Sequence, residues 1–446
     1  MRRIYYRCFL IFFAFVILFI PGCSFECGKV SKRGLVRDRT CPNVILITIS
    51  SLRADHIGCF GYERQTSPFF DEFARENIVF TECFSTSSWM MPATGSIFTS
   101  LYPYEHKASH IDKSLSSESD TLAEVLSQEG YWTAGFCCNP RLSSERGFAQ
   151  GFSYYDDYSF ELLLDSVIFG EGGDVEINSS RSNGLINGAV TRWLGNNSHE
   201  PFFLFVHYYD NHWDYSPPSP YDELFDGDYN GDMDGSRISD EPLYSNRPSQ
   251  EDVEHIVALY DGEVRRTDAD LGDLLGFLEE AGLMEESIVI VSGDHGEEFY
   301  EHGHTSHHGV YDEHIHIPAA ISFPGKGYEG KVVDSLVSGL DIMPTVLDFA
   351  GAAIPSFCRG KSLVPVIEGE SDKLRDSLFI EYTGGAEPDA FAVRSQRYKI
   401  VETGGRIFGF DLLKDPGEQD EICIENFTEE MKELSEKLRT GTSIIR

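Results

Sequence analysis

Basic side chains are scarce in this sequence. Its 446 residues include 36 lysines and arginines against 73 aspartates and glutamates, which gives a formal net charge of −37. Nucleic acids and anionic membrane surfaces are bound through basic patches, so this imbalance excludes a general nucleic-acid or anionic-membrane binder. The same charge repels anionic ligands at long range, and any such ligand must be captured by local groups inside a pocket.

An apolar run of bilayer-spanning length is also lacking. The apolar stretch at residues 8–20 follows three arginines and is shorter than the roughly 20 residues that a transmembrane helix needs. It runs into residues 20–23, with the sequence IPGC, which resemble a bacterial lipobox. We predict a signal peptide at 1–22, a lipid anchor on Cys23 and a polar tether at 23–41. This places the protein in the cell envelope, in the periplasm or at the cell surface; an uncleaved signal anchor or an ordinary signal peptide are the alternatives.

The ten cysteines lack the spacing of a zinc site. Cys8 lies in the signal peptide and Cys23 is the predicted lipidation site, which leaves eight scattered through the chain. Export to an oxidising compartment permits disulfides, but the spacing does not define their pairing. The adjacent Cys137 and Cys138 follow an apolar stretch, and we predict that they are buried at the end of a strand.

Strand and helix patterns alternate along residues 42–375. Continuous apolar runs at 43–49, 201–206 and 287–291 are typical of strands buried on both faces, and apolar residues recur every three or four positions along 253–278. Such alternation predicts an α/β domain with a largely parallel central sheet between helices. From residue 376 the pattern changes to short strands followed by one helix, which predicts a small C-terminal α+β subdomain at 376–446.

Polar side chains follow three of the predicted strands. In parallel α/β sheets, ligands bind beyond the carboxyl ends of the strands. The residues found there are the following: Ser50 and Ser51 after the first strand, His207, Asp210 and His212 after the second, and Asp294 and His295 after the third.

Ordered blocks of the sequence resemble one known family. The resemblance extends over nearly all of residues 42–440. The blocks that carry it are 43–62, 66–68, Pro103, 139–157, 207–218, 291–298, 311–313, 341–345, 397–400 and 411–418. In these blocks the chain is similar to the bacterial sulfatases of the alkaline-phosphatase-like superfamily, which also contains phosphonate and phosphate monoester hydrolases. The resemblance implies the alkaline-phosphatase-like fold.

The resemblance also implies a chemistry. Members of the family hydrolyse sulfate or phosphate monoesters with one hard divalent cation, usually calcium or manganese. An Asp after the first strand and an Asp-Asn or Asp-His pair after a later strand hold the cation. The nucleophile begins a helix; it is a formylglycine made from Cys or Ser in a Cys/Ser-x-Pro-x-Arg context, or an unmodified Thr or Ser. The metal, basic side chains and the helix N-terminus then stabilise negative charge on the ester oxygens.

Two positions that this chemistry requires are substituted. Ser50 stands where the family has its first metal-binding Asp, and a neutral hydroxyl is a poor ligand for a hard cation. Met90 stands at the nucleophile position, and a thioether has no ionisable proton. Thr94 replaces the Arg of the maturation motif, so no formylglycine is expected. If a metal is bound at all, the resemblance implies calcium or manganese.

Other residues match the family pattern. His212 matches the histidine that contacts the ester or leaving group, and Asp294 with His295 matches the later metal pair. His307 or His308 falls near the basic residue on the following loop, and the spacing does not choose between them.

We predict a catalytically degenerate member of this fold that binds a sulfated or phosphorylated small molecule or glycan, or another partner. The alternative is an active ester hydrolase with a rewired nucleophile. The nucleophile would then be the hydroxyl of Ser50, Ser51, Ser88 or Thr94, or a bound water.

Overall fold

The structure is a computed structural model that describes residues 41–110, 112–157, 168–169, 175–176, 182–198, 201–235, 248–325, 327–384 and 388–445. The predicted signal peptide, Cys23 and the tether up to residue 40 lie outside these residues. Within the described part of the chain, no helix combines the length and apolar character needed to cross a membrane. No disulfide joins any two of the seven cysteines that can be described, and Cys137 and Cys138 are buried at the end of a strand, as predicted.

The described strands, in chain order, are β1 Asn43–Ile49, β2 Ile78–Phe80, β3 Cys83–Phe84, β4 Trp132–Cys137, β5 Tyr154–Asp156, β6 Ile168–Phe169, β7 Val175–Glu176, β8 Phe202–Tyr208, β9 Ser287–Gly293, β10 Glu298–Phe299, β11 Thr305–Ser306, β12 Ala319–Ser322, β13 Lys331–Val333, β14 Val337–Ser338, β15 Leu378–Tyr382, β16 Ala390–Arg394, β17 Tyr398–Thr403, β18 Arg406–Asp411 and β19 Ile422–Cys423. The described α-helices are α1 Pro68–Glu76, α2 Met90–Thr99, α3 Pro103–His106, α4 Leu122–Gln128, α5 Ser182–Asn197, α6 Gln250–Glu280, α7 Asp312–Ile315, α8 Ile342–Ala350, α9 Val364–Ile367 and α10 Glu429–Ile445.

Eight strands form the central sheet in the order β13-β2-β12-β9-β1-β8-β4-β5. Every neighbouring pair is parallel except those made by β12, which runs antiparallel to both β2 and β9. The prediction of a largely parallel sheet in an α/β fold is therefore confirmed. The two-stranded sheets β10-β11, β14-β3 and β6-β7 lie outside it.

Helices cover both faces of this sheet because its central strands are apolar on both sides. In β1, Ile45 and Ile47 belong to the core shared with α1, α5 and α6. Val44 and Leu46, which alternate with them, belong to the core shared with α2, α4 and α8. All four side chains are fully buried, as the continuous apolar run of β1 predicts.

Helix starts follow local sequence signals. Pro68 is the first residue of α1, where the missing N–H of proline costs nothing. Helix α4 begins with a capping box between Thr121 and Glu124, and α6 with one between Ser249 and Asp252. The 31-residue α6 packs along α1 and α5 on one face of the sheet.

The C-terminal region contains a five-stranded antiparallel sheet in the order β15-β16-β17-β18-β19. Helix α10 packs on one face, where Met431, Leu434 and Leu438 contact the sheet core. The other face shares a core with residues of the main domain, including Phe84 and Ile315. The predicted α+β character of this region is confirmed.

One buried lysine joins this sheet to a loop of the main domain. Lys399 Nζ lies 2.8 Å from Glu418 Oε2 and 2.7 Å from Asp312 Oδ1, and it donates to the Val310 carbonyl oxygen at 2.9 Å. Asp312 begins α7, which leads directly into β12. The C-terminal sheet therefore fixes the loop that precedes this central strand.

Candidate active site

The residues predicted to form a site meet at one edge of the central sheet. Strands β9, β1 and β8 are neighbours, and each ends at this edge. Ser50 and Ser51 follow β1, Asp210 and His212 follow β8, and Asp294 with His295 follows β9. The prediction that His207 follows the strand is wrong, because the strand continues to Tyr208 and includes it. Backbone hydrogen bonds join the ends of these three strands directly. The Ser50 N–H donates to the Tyr208 carbonyl oxygen at 2.9 Å, and the Asp294 N–H donates to the Ile49 carbonyl oxygen at 3.2 Å.

Asp294 is held by backbone donors on one of its two oxygens. Its Oδ1 accepts from the Ser51 N–H at 3.2 Å and from the His295 N–H at 2.7 Å, while Oδ2 is buried without a hydrogen-bond partner. Ser51 adopts a left-handed conformation, with φ 52°, and its carbonyl oxygen accepts from the Tyr260 hydroxyl at 2.8 Å. Burial raises the pKa of Asp294 to about 8, although the two N–H donors oppose the shift.

A second buried carboxyl group lies beside the first. Glu297 Oε1 is 3.2 Å from His307 Nδ1, while its Oε2 is buried without a hydrogen-bond partner. Burial raises the pKa of Glu297, against the opposing effect of neighbouring histidines. His307 therefore takes its orientation from Glu297, and its Nδ1 also lies 3.2 Å from the Ser306 hydroxyl oxygen.

Three imidazoles lie together in front of these carboxyl groups. The ring centroid of His307 lies 4.7 Å from that of His295 and 5.3 Å from that of His212. Burial lowers the pKa of His295 to about 4 and that of His212 to about 3, and it lowers the pKa of His307 well below its usual value. The three rings are therefore neutral at pH 7, and each presents hydrogen-bonding nitrogens rather than fixed positive charge.

Aromatic side chains orient His212. Its ring stacks on Tyr209 at 4.8 Å and lies 4.9 Å from the ring of Trp213, and its Nδ1 lies 2.9 Å from the Trp213 carbonyl oxygen. His308 has a different environment, because its Nδ1 lies 3.1 Å from the Tyr382 hydroxyl of the C-terminal sheet. Of the two histidines that the spacing left open, the geometry thus places His307 next to His212 and His295.

Met90 is the first residue of α2, at the position that the resemblance assigns to the nucleophile. Its side chain is 5 % exposed and belongs to the apolar core that also contains Met91, Ile97 and Phe98. Thr94 lies one helical turn further, fully buried, and its hydroxyl has no hydrogen-bond partner; the same holds for Ser88 just before the helix. The helix thus begins with a packed thioether instead of a polar, ionisable group.

The donor set at the predicted metal position is weak. Asp294 supplies one uncommitted carboxylate oxygen, His295 a neutral imidazole nitrogen, and Ser50 a buried hydroxyl without a hydrogen-bond partner. Calcium and manganese favour several anionic oxygens. Among the residues whose placement can be described, no group of three His, Cys, Asp or Glu side chains is arranged to hold a metal ion. These residues do not fit a tightly held hard cation.

Nearby charged groups are already paired. Arg53 donates to both carboxylate oxygens of Asp55, at 2.9 and 2.7 Å, and to Glu301 Oε1 at 2.6 Å. In the loop between β10 and β11, His302 lies 3.4 Å from Glu313 and its ring stacks on Tyr311. Arg53 is thus held by carboxylates and is not presented to an anionic ligand.

Sequence reasoning overlooked two residues of this site. Glu297 orients His307, and Tyr260 on α6 binds both the Ser51 carbonyl oxygen and, at 3.1 Å, the Arg53 N–H. The sequence signal for Glu297 is that this charged residue lies four positions after the end of the buried strand β9. No sequence signal distinguishes Tyr260, because it occupies one of the apolar positions that recur every three or four residues along α6.

Known protein families and relatives match most of this chain. A family described as Sulfatase matches residues 42–352, and one described as N-sulphoglucosamine sulphohydrolase, C-terminal, matches residues 300–443. The chain is 24 % identical to an arylsulfatase of Clostridium perfringens, over 89 % of this chain and 93 % of that protein. It is 23 % identical to an N-acetylglucosamine-6-O-sulfatase of Bacteroides thetaiotaomicron, over 89 % of this chain and 85 % of that protein.

Solved structures share the fold. A phosphonate monoester hydrolase of Agrobacterium radiobacter superposes with a TM-score of 0.76 at 22 % identity, covering 91 % of this chain and 96 % of that one. A structure solved in complex with its substrate D-glucosamine-2-N,6-O-disulfate superposes with a TM-score of 0.74 at 21 % identity, covering 91 % of this chain and 98 % of that one.

Proposed function

The chain belongs to the sulfatase family, and we propose that it is a non-hydrolytic member that binds a sulfated glycan and does not cleave it. The relatives named above as sulfatases, and the structural neighbour bound to a disulfated glucosamine, support this ligand class. We further propose that the protein is exported and tethered to the cell envelope by a lipid on Cys23, so that it meets extracellular glycans.

The observation that carries the loss of hydrolysis is the burial of Met90. Its thioether occupies the first turn of α2, where the family reaction requires an atom that attacks sulfur or phosphorus. No proton can be removed from this side chain to create a nucleophile. The side chain packs in the apolar core with Met91, Ile97 and Phe98, as a structural residue does.

The cation position adds an independent loss. With Ser50 in place of a carboxylate, Asp294 is the single anionic ligand among the three predicted ones. Without a firmly held cation, the negative charge that develops on the ester oxygens is poorly stabilised. Removing a nucleophile or a stabilising group typically costs several orders of magnitude in rate, so the two losses together suppress turnover.

The remaining groups suit hydroxyl recognition. At pH 7 the pocket presents neutral imidazoles from His212, His295 and His307, and Asp294 presents a buried carboxyl oxygen without a hydrogen-bond partner. Such groups both donate and accept hydrogen bonds, as the hydroxyl groups of a sugar require. The aromatic rings of Tyr209 and Trp213 provide an apolar surface next to His212.

The proposal is tested by measuring turnover and binding on the same purified protein. We expect no hydrolysis of 4-nitrophenyl sulfate or 4-nitrophenyl phosphate above the buffer rate, with calcium or manganese present. N-acetylglucosamine 6-sulfate should bind, and His212→Ala should weaken that binding. Hydrolysis by the wild-type chain that His212→Ala abolishes would disprove the proposal.

A restoration experiment makes a negative turnover result informative. The triple variant Ser50→Asp, Met90→Cys, Thr94→Arg, produced with a formylglycine-generating enzyme, restores both the metal carboxylate and the maturation motif. We expect measurable hydrolysis from this variant only. The matched control replaces Met91 instead of Met90 by Cys, because Met91 is buried in the same helix but stands outside the motif.

A second candidate function is an ester hydrolase that uses a different nucleophile. It is favoured by the hydroxyls of Ser50, Ser51, Ser88 and Thr94, which are buried and lack hydrogen-bond partners. This function predicts wild-type turnover that is lost in one of the variants Ser50→Ala, Ser51→Ala, Ser88→Ala or Thr94→Val. Wild-type activity that survives all four substitutions would exclude these nucleophiles.

A further inference from the structure

A small cleft lies where α3, β15 and α10 meet. It has a volume of about 210 Å³, and its lining includes Tyr102, Tyr104, Ser377, Phe379 and Lys437. Sites for drug-sized ligands occupy about 300–1,000 Å³, so this cleft fits one ring-sized group. The residues that line it lie on or beside α3, β15 and α10, and they do not include His212, His295 or His307.

Aromatic rings form the walls of the cleft. The rings of Tyr102 and Tyr104 are nearly parallel, with an angle of 9° and a centroid distance of 6.1 Å, and Phe379 meets Tyr102 edge-on at 5.7 Å. Both tyrosines are half-buried. The face of an aromatic ring carries partial negative charge, which attracts the weakly positive C–H hydrogens of a saturated ring.

Polar groups surround these faces. Lys437 on α10 donates to the Ser377 hydroxyl at 3.1 Å, and its side chain is exposed. In the part of the chain that the structure describes, the Lys437 ammonium group forms no ion pair with a carboxylate. The lysine therefore presents a positive charge at the rim of the aromatic cleft.

We propose that this cleft binds one pyranose ring of a glycan that carries a sulfate group. The C–H face of the ring stacks on the tyrosines, its hydroxyl groups reach Ser377 and the phenol oxygens, and the sulfate lies next to Lys437. An apolar peptide side chain would use the aromatic walls but not the hydroxyl and amine groups. The choice of a sulfated sugar rests on the proposed function, whereas the cleft itself shares no lining residue with the pocket at His212.

The experiment titrates the full chain with N-acetylglucosamine 6-sulfate and with unsulfated N-acetylglucosamine, and reads binding by saturation-transfer NMR. Tyr104→Ala should weaken binding of both sugars at this site about five- to tenfold, through the loss of one stacking face. Lys437→Ala should weaken only the sulfated sugar, by about threefold, as expected for an exposed charge. Tyr104→Phe, which keeps the ring, should retain most of the affinity.

Two controls separate this cleft from the other site and from general effects. His212→Ala changes the pocket at the sheet edge and should leave the contribution of the cleft intact. Tyr154→Ala removes an exposed tyrosine far from the cleft, on β5, and should change nothing. The proposal is overturned if neither sugar binds, if Tyr104→Ala and Lys437→Ala leave both affinities unchanged, or if an aromatic dipeptide binds there in preference to the sulfated sugar.

Discussion

Replacing Met90 by Ala tests whether this residue is part of the apolar core. The side chain is 5 % exposed and lies in the core with Met91, Ile97 and Phe98, and the substitution removes three heavy atoms from that core. A buried Met→Ala change costs about 2–5 kcal/mol, through lost burial and the remaining cavity. Ala is also the best helix former, so the backbone of α2 does not add to the cost.

Equilibrium unfolding in urea, followed by circular dichroism, measures this difference. We expect Met90→Ala to lower the free energy of unfolding by about 2–5 kcal/mol, and the similarly sized Met90→Leu to lower it by less than about 1.5 kcal/mol. Met284→Ala is the control, because that side chain is only partly buried. A loss below about 1 kcal/mol for Met90→Ala would refute the reasoning, because the thioether would then face open space and not the core.

Two further predictions concern buried ionisable groups. Lys399→Met should lower the free energy of unfolding by about 3–5 kcal/mol, because it removes the buried partner of Glu418. The control Lys432→Met removes an exposed ion pair and should lower it by less than about 1 kcal/mol. Equal losses for the two variants in urea titrations would contradict this prediction. Glu381 is buried, and burial raises its pKa from 4.5 to about 8, so the folded protein holds a proton that the unfolded chain releases between these values. Stability should therefore fall as pH rises from about 4.5 to 8, by at most about 1.4 kcal/mol per pH unit from this group, and Glu381→Gln should reduce the slope. An identical pH profile for both proteins would show that Glu381 is ionised in the fold.

Much of the fold could be predicted because the strongest signals are local. The apolar run at 43–49 is β1 from end to end, and the repeat at 253–278 lies within α6. The direction of β12 could not be predicted, because an apolar run does not show whether its neighbours run parallel or antiparallel. The end of the final helix at Ile445 could not be predicted, since weak periodicity in this segment gives no stop signal.

The site was predictable where it depends on strand ends and not where it depends on loop geometry. Ser50, Asp294 and His295 lie at the expected sheet edge because parallel strands finish there. The choice between His307 and His308 depends on the left-handed Ser306, with φ 77°, and on Tyr382 from a distant strand. Neither feature is visible in the spacing of the histidines.

The metal content of the wild-type protein tests the central claim most directly. We predict that elemental analysis of the purified chain finds calcium and manganese far below one ion per molecule, and that calorimetric titration detects tight binding only after Ser50→Asp. One tightly bound calcium or manganese ion per wild-type chain, lost on Asp294→Ala, would contradict the account.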